Sequence, residues 1–397
     1  MQLTPHQALL QFAHVLQMTL LPRLEEELGR LSPQLQLLSS LLAMISPNAA
    51  LEARRARTGR PQRDRVAMAS AFVAKAILNL STTRQLIDRL HCDAALRRLC
   101  GFTHADTVPH EATFSRAFEQ FATTQLPQQL HEALIRQTQG DRLIGHIARD
   151  STAIEARERF PDPPPKARKK GQSQKKKNKR TPPLPRKKGQ HARAKASQRG
   201  TRIQQQRHQE LDTMLANLAC QCDIGAKKNS QGHENYWRGY KLHLDVANGQ
   251  IPISAVLTGA SVHDSQVAIP LMTMTSQRVV HLYELMDSAY DADAIHAHSR
   301  QLNHAPIIAP HPRRGAKKPS PLTKVFPARP APQLSWAEQD RFRERTMVER
   351  VNGRLKDEFG ASHVRVRGAA KVMAHVMFGV LALTVDQWLR LAGSPGP

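Results

Sequence analysis

Three carboxylates in this chain stand where they could share a metal. Asp150 closes the apolar run Leu143–Asp150 (LIGHIARD), and Asp287 closes Val279–Asp287, a second run of strand character. Glu349 lies in FRERTMVERVNGRLK, a stretch of helical composition, together with Phe342, Arg345 and Lys356. At about 100° per residue these four side chains fall within a stripe roughly 60° wide on one helix face. One acid flanked by two bases and an aromatic ring makes a poor core face. It suits a face that holds a cation through Glu349 and phosphate oxygens through Arg345 and Lys356. Carboxylates from two strands and a helix can hold two Mg²⁺ ions about 3.5–4 Å apart, the arrangement that serves in-line displacement at a phosphodiester. Mg²⁺ prefers oxygen ligands, and Mn²⁺ is a ready substitute. In this scheme Asp150 bridges both ions, Asp287 completes one site and Glu349 the other. One ion activates water or a 3′-hydroxyl, and the other stabilises the departing 3′-oxygen.

Taken singly, each acid has an ordinary reading. Asp150 and Asp287 are each followed by Ser and a turn, where Asp bonds its own backbone, and Glu349 pairs readily with Arg345 at i−4. Asp264, Asp291 and Asp293 read as helix N-caps or first-turn acids. His233, His243 and His263 are scattered and fit surface or core histidines better than a metal cluster. Tyr236 and Trp237, in NYWRGYK, fit packing beside a hairpin better than stacking on an unpaired base. Cys92, Cys100, Cys220 and Cys222 are too few and too poorly spaced for a disulfide framework or a four-ligand zinc site, and read as thiols in a reducing compartment.

The elements that must position these acids are legible in the pattern. Tyr240–Val246 alternates, with Leu242, Leu244 and Val246 on one side and Lys241, His243 and Asp245 on the other; Asn248-Gly249 and Ile251–Thr258 complete a tight hairpin. Helices are expected over His263–Met272 and Asp291–Gln301, and a short strand over Ala305–Ala309. The order is strand, hairpin, helix, strand, helix, strand: an α/β fold with a ribonuclease-H-like mixed sheet. Pro310–Pro332 reads as a loop. Ser335-x-x-Glu338 is a capping box opening a helix to Phe359, roughly 36 Å long, with Gly360 as its left-handed stop. A last apolar helix, Val372–Leu391, should pack on the sheet. Upstream, residues 1 to about 55 are helical, Gly59-Arg60-Pro61 is a break, and short helices follow over Val66–Leu80, Thr83–Leu90, Ala94–Cys100 and Glu111–Phe121. The last is a candidate recognition helix with Arg116 as a reader of DNA; a packed helical domain is the alternative.

Charge then names the partner class. The 397 residues carry 58 Lys or Arg against 33 Asp or Glu, a formal charge of +25, which calls for a polyanion. Lys166–Arg207 alone holds 17 basic residues and no acid, leaving 25 − 17 = +8 for the rest. This segment is low in complexity and too poor in aliphatics to fold alone; it reads as a disordered insertion gripping phosphates without reading sequence. With 40% hydrophobic residues the chain as a whole is not a disordered basic protein. The N-terminus lacks the basic region of a secretory signal, and Val376–Val385 is about half the length needed to cross a bilayer. A membrane partner therefore loses ground to nucleic acid. The expected organisation is an N-terminal helical segment (1–58), a helical, candidate DNA-end-binding domain (59–140), a catalytic domain (141–160 and 208–397) and the basic low-complexity insertion (161–207).

These motifs together resemble the DDE transposases of bacterial insertion sequences, in the group whose third motif is Tyr-x2-Arg-x3-Glu-x6-Lys. Here it reads Phe342-x2-Arg345-x3-Glu349-x6-Lys356, with Phe342 keeping the ring and losing the phosphate-bonding hydroxyl. The likeness extends through GRPQRDR, VPHEATFSRAF, RDSTAIEARE, GYKLHLDV, LTGASVHDSQ, LMDSAYDA and VERVNGRLKDEFG. It implies a ribonuclease-H-like catalytic domain, Mg²⁺ dependence, Asp150, Asp287 and Glu349 as metal-holding catalytic acids, and terminal-inverted-repeat DNA as substrate. Strand cleavage at the element ends would be followed by transfer to target DNA in the bacterial cytoplasm, at the nucleoid. Synapsis of two ends makes a homodimer on DNA an expectation. A nuclease of the same fold that cuts without joining, or a basic DNA-binding protein, are the alternatives.

Overall fold

The computed structural model describes residues 5–45, 64–158, 201–228, 233–311 and 334–393. The Gly59–Pro61 break, the Pro-rich stretch 312–332 and residues 159–200 of the basic segment lie outside them. Thr201 and Gln204 form a capping box that starts the helix Arg202–Gln206. Gln206 then donates to the Gln266 carbonyl at 2.9 Å.

The upstream half is helical, with a polar cap before most helices. The helices are α1 (Pro5–Val15), running through a π turn (Leu16–Leu20) into α2 (Leu21–Leu28), then α3 (Pro33–Met44), α4 (Arg65–Ile77), α5 (Thr83–Cys92), α6 (Ala94–Leu99), α7 (Glu111–Thr123) and α8 (Leu126–Gln139). Ser32, Asp64, Thr82 and Asp93 each accept from a first-turn N–H of α3, α4, α5 and α6. Helix α7 buries Phe114, Ala117, Phe118 and Phe121 and leaves Ser115 and Arg116 exposed, so Arg116 stands on the free face.

The sheet is mixed: β1 (Leu143–Glu155), β2 (Asp223–Lys228), β3 (Glu234–Ala247), β4 (Ile251–Gly259), β5 (Val280–Met286) and β6 (Ala305–Ile308), in the order β2-β3-β1-β5-β6 with β4 also on β3. Strands β1, β3 and β4 are antiparallel neighbours, while β5 and β6 run parallel to β1. The expected strand–hairpin–helix–strand–helix–strand order holds, and the sheet is consistent with a ribonuclease-H-like domain. Edge strand β2 (DIGAKK) is an addition; it has too few apolar residues to read as a strand and is paired by the outer half of β3. The hairpin turns through Gly249 and Gln250, both at positive φ (78° and 64°).

Strand β1 does not end at Asp150 but runs five residues further. Its parallel partner β5 leaves at Ala148↔Leu285, whereas antiparallel pairing to β3 continues to Glu155↔Gly239. Asp150 thus sits just past the carboxyl end of the parallel pair rather than at the end of the strand. Both faces of β3 are buried: Leu242, Leu244 and Val246 join the large core, and His243 and Asp245 on the other face are equally covered. The cover there is α11 (Ser265–Ser276), which follows two short helices, α9 (Arg202–Gln206) and α10 (Leu211–Ala216); α12 (Asp293–Gln301) lies beside α11.

The expected single helix from Ser335 is interrupted. The Ser335–Glu338 capping box forms, but α13 (Trp336–Phe342) passes into a 3₁₀ turn (Arg343–Arg345) before α14 (Thr346–Asp357). Helix α14 stops short of Phe359, and Gly360 turns the chain with φ 83°. Helix α15 (Ala369–Gly393) is, by length and composition alone, apolar enough to cross a bilayer. Here it is a core helix, packed on α4, α7, α8 and β4, with Phe378 stacked on Phe72 at 6.0 Å. Through α15 the upstream helices and the sheet share one hydrophobic core.

Candidate active site

Asp150 and Asp287 come from adjacent parallel strands, β1 and β5, at the same end of the sheet. Asp287 follows Met286, the last residue of β5, and its side chain accepts from Ala289 N at 2.9 Å, closing a 3₁₀ turn. The turn-forming reading of Asp287 thus holds. The two carboxylates feel one another: burial pushes Asp150 up to about 6, and repulsion from Asp287 adds to it against the Ser151 N–H, Lys227 and Arg345. Asp287 is raised too, by burial and then by Asp264, with the Ala289 N–H, Arg345 and Lys227 opposing.

Glu349 reaches this pair through Arg345. The Arg345 guanidinium donates to Glu349 while acting on both aspartates. Glu349 itself is half exposed. The 3₁₀ turn keeps Phe342 and Arg345 on one side, because i and i+3 eclipse there; the guanidinium carbon lies 5.7 Å from the Phe342 ring centre. Lys356 lies two turns further along α14 than Glu349. Burial lowers its pKa, and its charged neighbours are Lys227, which also acts on both aspartates, Glu155 and Asp357.

Asp264 is a fourth acid at the site. It occupies the N-cap position of α11 but caps nothing. Instead Lys241 donates to it at 3.0 Å, the Ser151 side chain bonds it, and His243 Nδ1 is 3.9 Å away. Those bonds and charges hold Asp264 below its ordinary pKa although burial opposes them. Tyr290 lies beneath, fully buried, its hydroxyl without a hydrogen-bond partner among the described residues. Its pKa is driven well up by burial and by Asp264, Asp150 and Asp287. The readable sign of this layer was the Lys241, His243, Asp245 alternation on one strand face. Asp291, by contrast, accepts from His296 and His311 N, and Asp293 stays in the first turn of α12.

Behind Asp150, Arg149 is buried in a bidentate pair with Asp245, both bonds 2.7 Å. Thr275 donates to the same carboxylate at 2.6 Å. Arg149 also lies 3.5 Å from Glu284, which meets His281 and His304. His281, Glu284 and His304 are the one set of three His, Cys, Asp or Glu ligand atoms within 4.8 Å of one another among the described residues. Their imidazoles are tilted by 32° with centroids 3.6 Å apart, and a guanidinium adjoins. His243 bonds Thr258 and His263 bonds Ser265, apart from that group. Asp150, Asp287 and Glu349 are more widely spaced, but their chemistry fits a hard cation: oxygen donors only, and two carboxylates whose charge burial and repulsion disfavour.

Residues 141–385 match the family model described as the transposase DDE domain, covering β1 to α15. The chain belongs to the DDE transposase family. Residues 26–120 of this transposase match a second model, described as a transposase domain (DUF772), spanning α3 to α7. No curated protein and no solved structure matches the chain. As a family member it is a transposase acting on DNA, and the family normally uses divalent metals.

Proposed function

We propose that this transposase cuts DNA at the terminal inverted repeats of its element and joins the exposed 3′-hydroxyls to target DNA, with Asp150, Asp287 and Glu349 as its catalytic, metal-holding acids. The observation that carries the reading is the meeting of Asp150 and Asp287 at the carboxyl ends of neighbouring parallel strands, where burial raises both and Asp287 raises Asp150 further, with Glu349 linked to them through Arg345. When bound there, two Mg²⁺ ions, or Mn²⁺ in their place, would supply charge neutralisation at the scissile phosphodiester. Asp150 and Asp287 would hold them from the sheet and Glu349 from α14. With a cation on Glu349, Arg345 would be free to donate to a phosphate oxygen, its guanidinium lying 5.7 Å from the Phe342 ring centre. Lys356 and Lys227 extend the positive rim, and Arg116 faces DNA from α7. Replacing one phosphodiester by another conserves bond energy, so no nucleotide cofactor is required.

A duplex bearing the element end, incubated with the protein and Mg²⁺, tests this directly. Wild type should yield both cut ends and joined products, and Asp150→Ala, Asp287→Ala and Glu349→Ala should each lower both by at least about a hundredfold. Full strand transfer by any of the three would remove that residue from the site. Cut ends without joined products would instead make the protein a nuclease of this fold.

A further inference from the structure

A second basic site lies away from the aspartates, where the upstream helices meet the C-terminal helix. Lys75, on α4, is one of the few buried cations among the described residues, 7% exposed. Its ammonium forms no hydrogen bond or ion pair among the described residues, an uncommon state for a buried charge. It opens instead into a cavity of about 260 Å³ whose wall also carries Arg367, Lys371, Thr83 and Ser115. Arg367 likewise has no partner among the described residues. Lys371 is matched by Glu119 at 2.9 Å, and Glu111, the one acid in the wall, is engaged by Arg84 at 3.2 Å. Two cations are therefore left uncompensated, beside two hydroxyls, over a floor of Phe72 and Phe118.

We propose that this cavity is a binding site for a single backbone phosphate of DNA, held by Lys75 and Arg367 with Thr83 and Ser115 as donors. The argument rests on DNA being the substrate, as the proposed function holds, and on three features. A fixed, buried, unpaired ammonium facing an open cavity is what a phosphate oxygen would complete. The volume accommodates a diester phosphate with several waters, each needing about 30 Å³. The cavity also borders the exposed face of α7 through Ser115, and the loop bearing Arg367 leads directly from α14, which carries Glu349, into α15. A phosphate seated here would tie DNA on the helical half to the catalytic helix. Burial lowers Lys75 to about 8, so the amine is still mostly protonated at neutral pH, and an anion would favour its charged form further.

Duplex binding by the full chain, followed by fluorescence anisotropy in EDTA from low to moderate salt, keeps the test independent of catalysis. Lys75→Met keeps the length of the side chain and removes the charge. It should fold as wild type does by circular dichroism, bind about tenfold more weakly, and lower the slope of log affinity against log salt by about one. Arg367→Gln, on an exposed side chain with no folding role, should weaken binding in the same direction and serves if Lys75→Met fails to fold. Unchanged affinity and slope in the folded variants would overturn the proposal. Inorganic phosphate added to wild type separates the sources of the ligand. If it raises the melting temperature through Lys75 while the DNA slope stays at the wild-type value in Lys75→Met, the site takes a free anion and the DNA assignment is wrong. The Asp150→Ala variant should retain this binding, so failure here is distinct from failure of the catalytic assignment.

Discussion

At Asp150 the carboxylate is more costly to ionise folded than unfolded, because burial and Asp287 raise its pKa from the ordinary 3.8 to about 6. A raised acid stabilises the fold only while protonated. Its contribution is complete below about pH 4 and is lost as pH rises through 6. In metal-free protein, Asp150→Asn should therefore be the more stable form at pH 8, by about 1–3 kcal/mol, and the advantage should vanish by pH 4. Thermal melts with EDTA at the two pH values measure it; a destabilised Asn variant at pH 8 would contradict the burial argument. Added Mg²⁺ should raise the melting temperature of wild type and not of the variant. Asp264 behaves oppositely, since Lys241 and Ser151 favour its charge. Both Lys241 and Asp264 are largely covered, 14% and 20% exposed. Lys241→Met alone should thus cost about 3 kcal/mol by stranding the acid, while Lys241→Met with Asp264→Leu should recover much of it. Denaturant midpoints for the single and double variants decide between a coupled pair and two independent residues.

Among the elements, the sheet was largely legible because its strands are apolar runs with clear turn residues between them. Asn248-Gly249 and the acid after Met286 mark two of its corners. What could not be read was pairing. Nothing local in RDSTAIE shows that β5 departs while β3 stays, so the sequence alone puts Asp150 at a strand end, and nothing local in SVHDSQ shows that Asp264 bonds Lys241 rather than its own helix. Local helical periodicity is also blind to the 3₁₀ turn at Arg343–Arg345, which interrupts the expected single helix while keeping Phe342 and Arg345 on one side. Nor could the polar face of β3 announce its buried Arg149–Asp245 partnership, which depends on a neighbour 96 residues away. The pairing hangs on Gly239, at φ 152°, where β1 and β2 flank β3 and an added Cβ would collide with the Ile154 carbonyl oxygen. Gly239→Ala should therefore destabilise the fold by about 1–3 kcal/mol or more. It should also slow DNA cutting, because the displaced segment of β1 begins at Asp150. A wild-type denaturation midpoint in this variant would show that the strand pair yields freely.

On the scale of the whole molecule, charge and chemistry are separately housed. Fifteen of the 17 basic residues between Lys166 and Arg207 precede residue 201, whereas Arg202 and Arg207 lie on or beside α9, Arg202 donating to Gln266 at 2.9 Å. The insertion leaves the sheet after β1 and returns at α9, on the far side of α11 from the shared core, so its removal need not disturb the strands that carry Asp150 and Asp287. Each phosphate neutralised by a basic residue releases counterions and steepens the fall of affinity with salt by about 0.9 in log–log slope. Replacing residues 166–200 by a short Gly-Ser linker should consequently flatten that slope by several units and weaken duplex binding at low salt by more than tenfold. The shift of the melting temperature by Mg²⁺ should remain. The Lys75 cavity should also survive, so that Lys75→Met still lowers the slope by about one in the deletion background, additively with the insertion. Loss of the Mg²⁺ response on deletion would mean that the basic segment builds the acid site, rather than bringing DNA to a site that the sheet and α14 build by themselves.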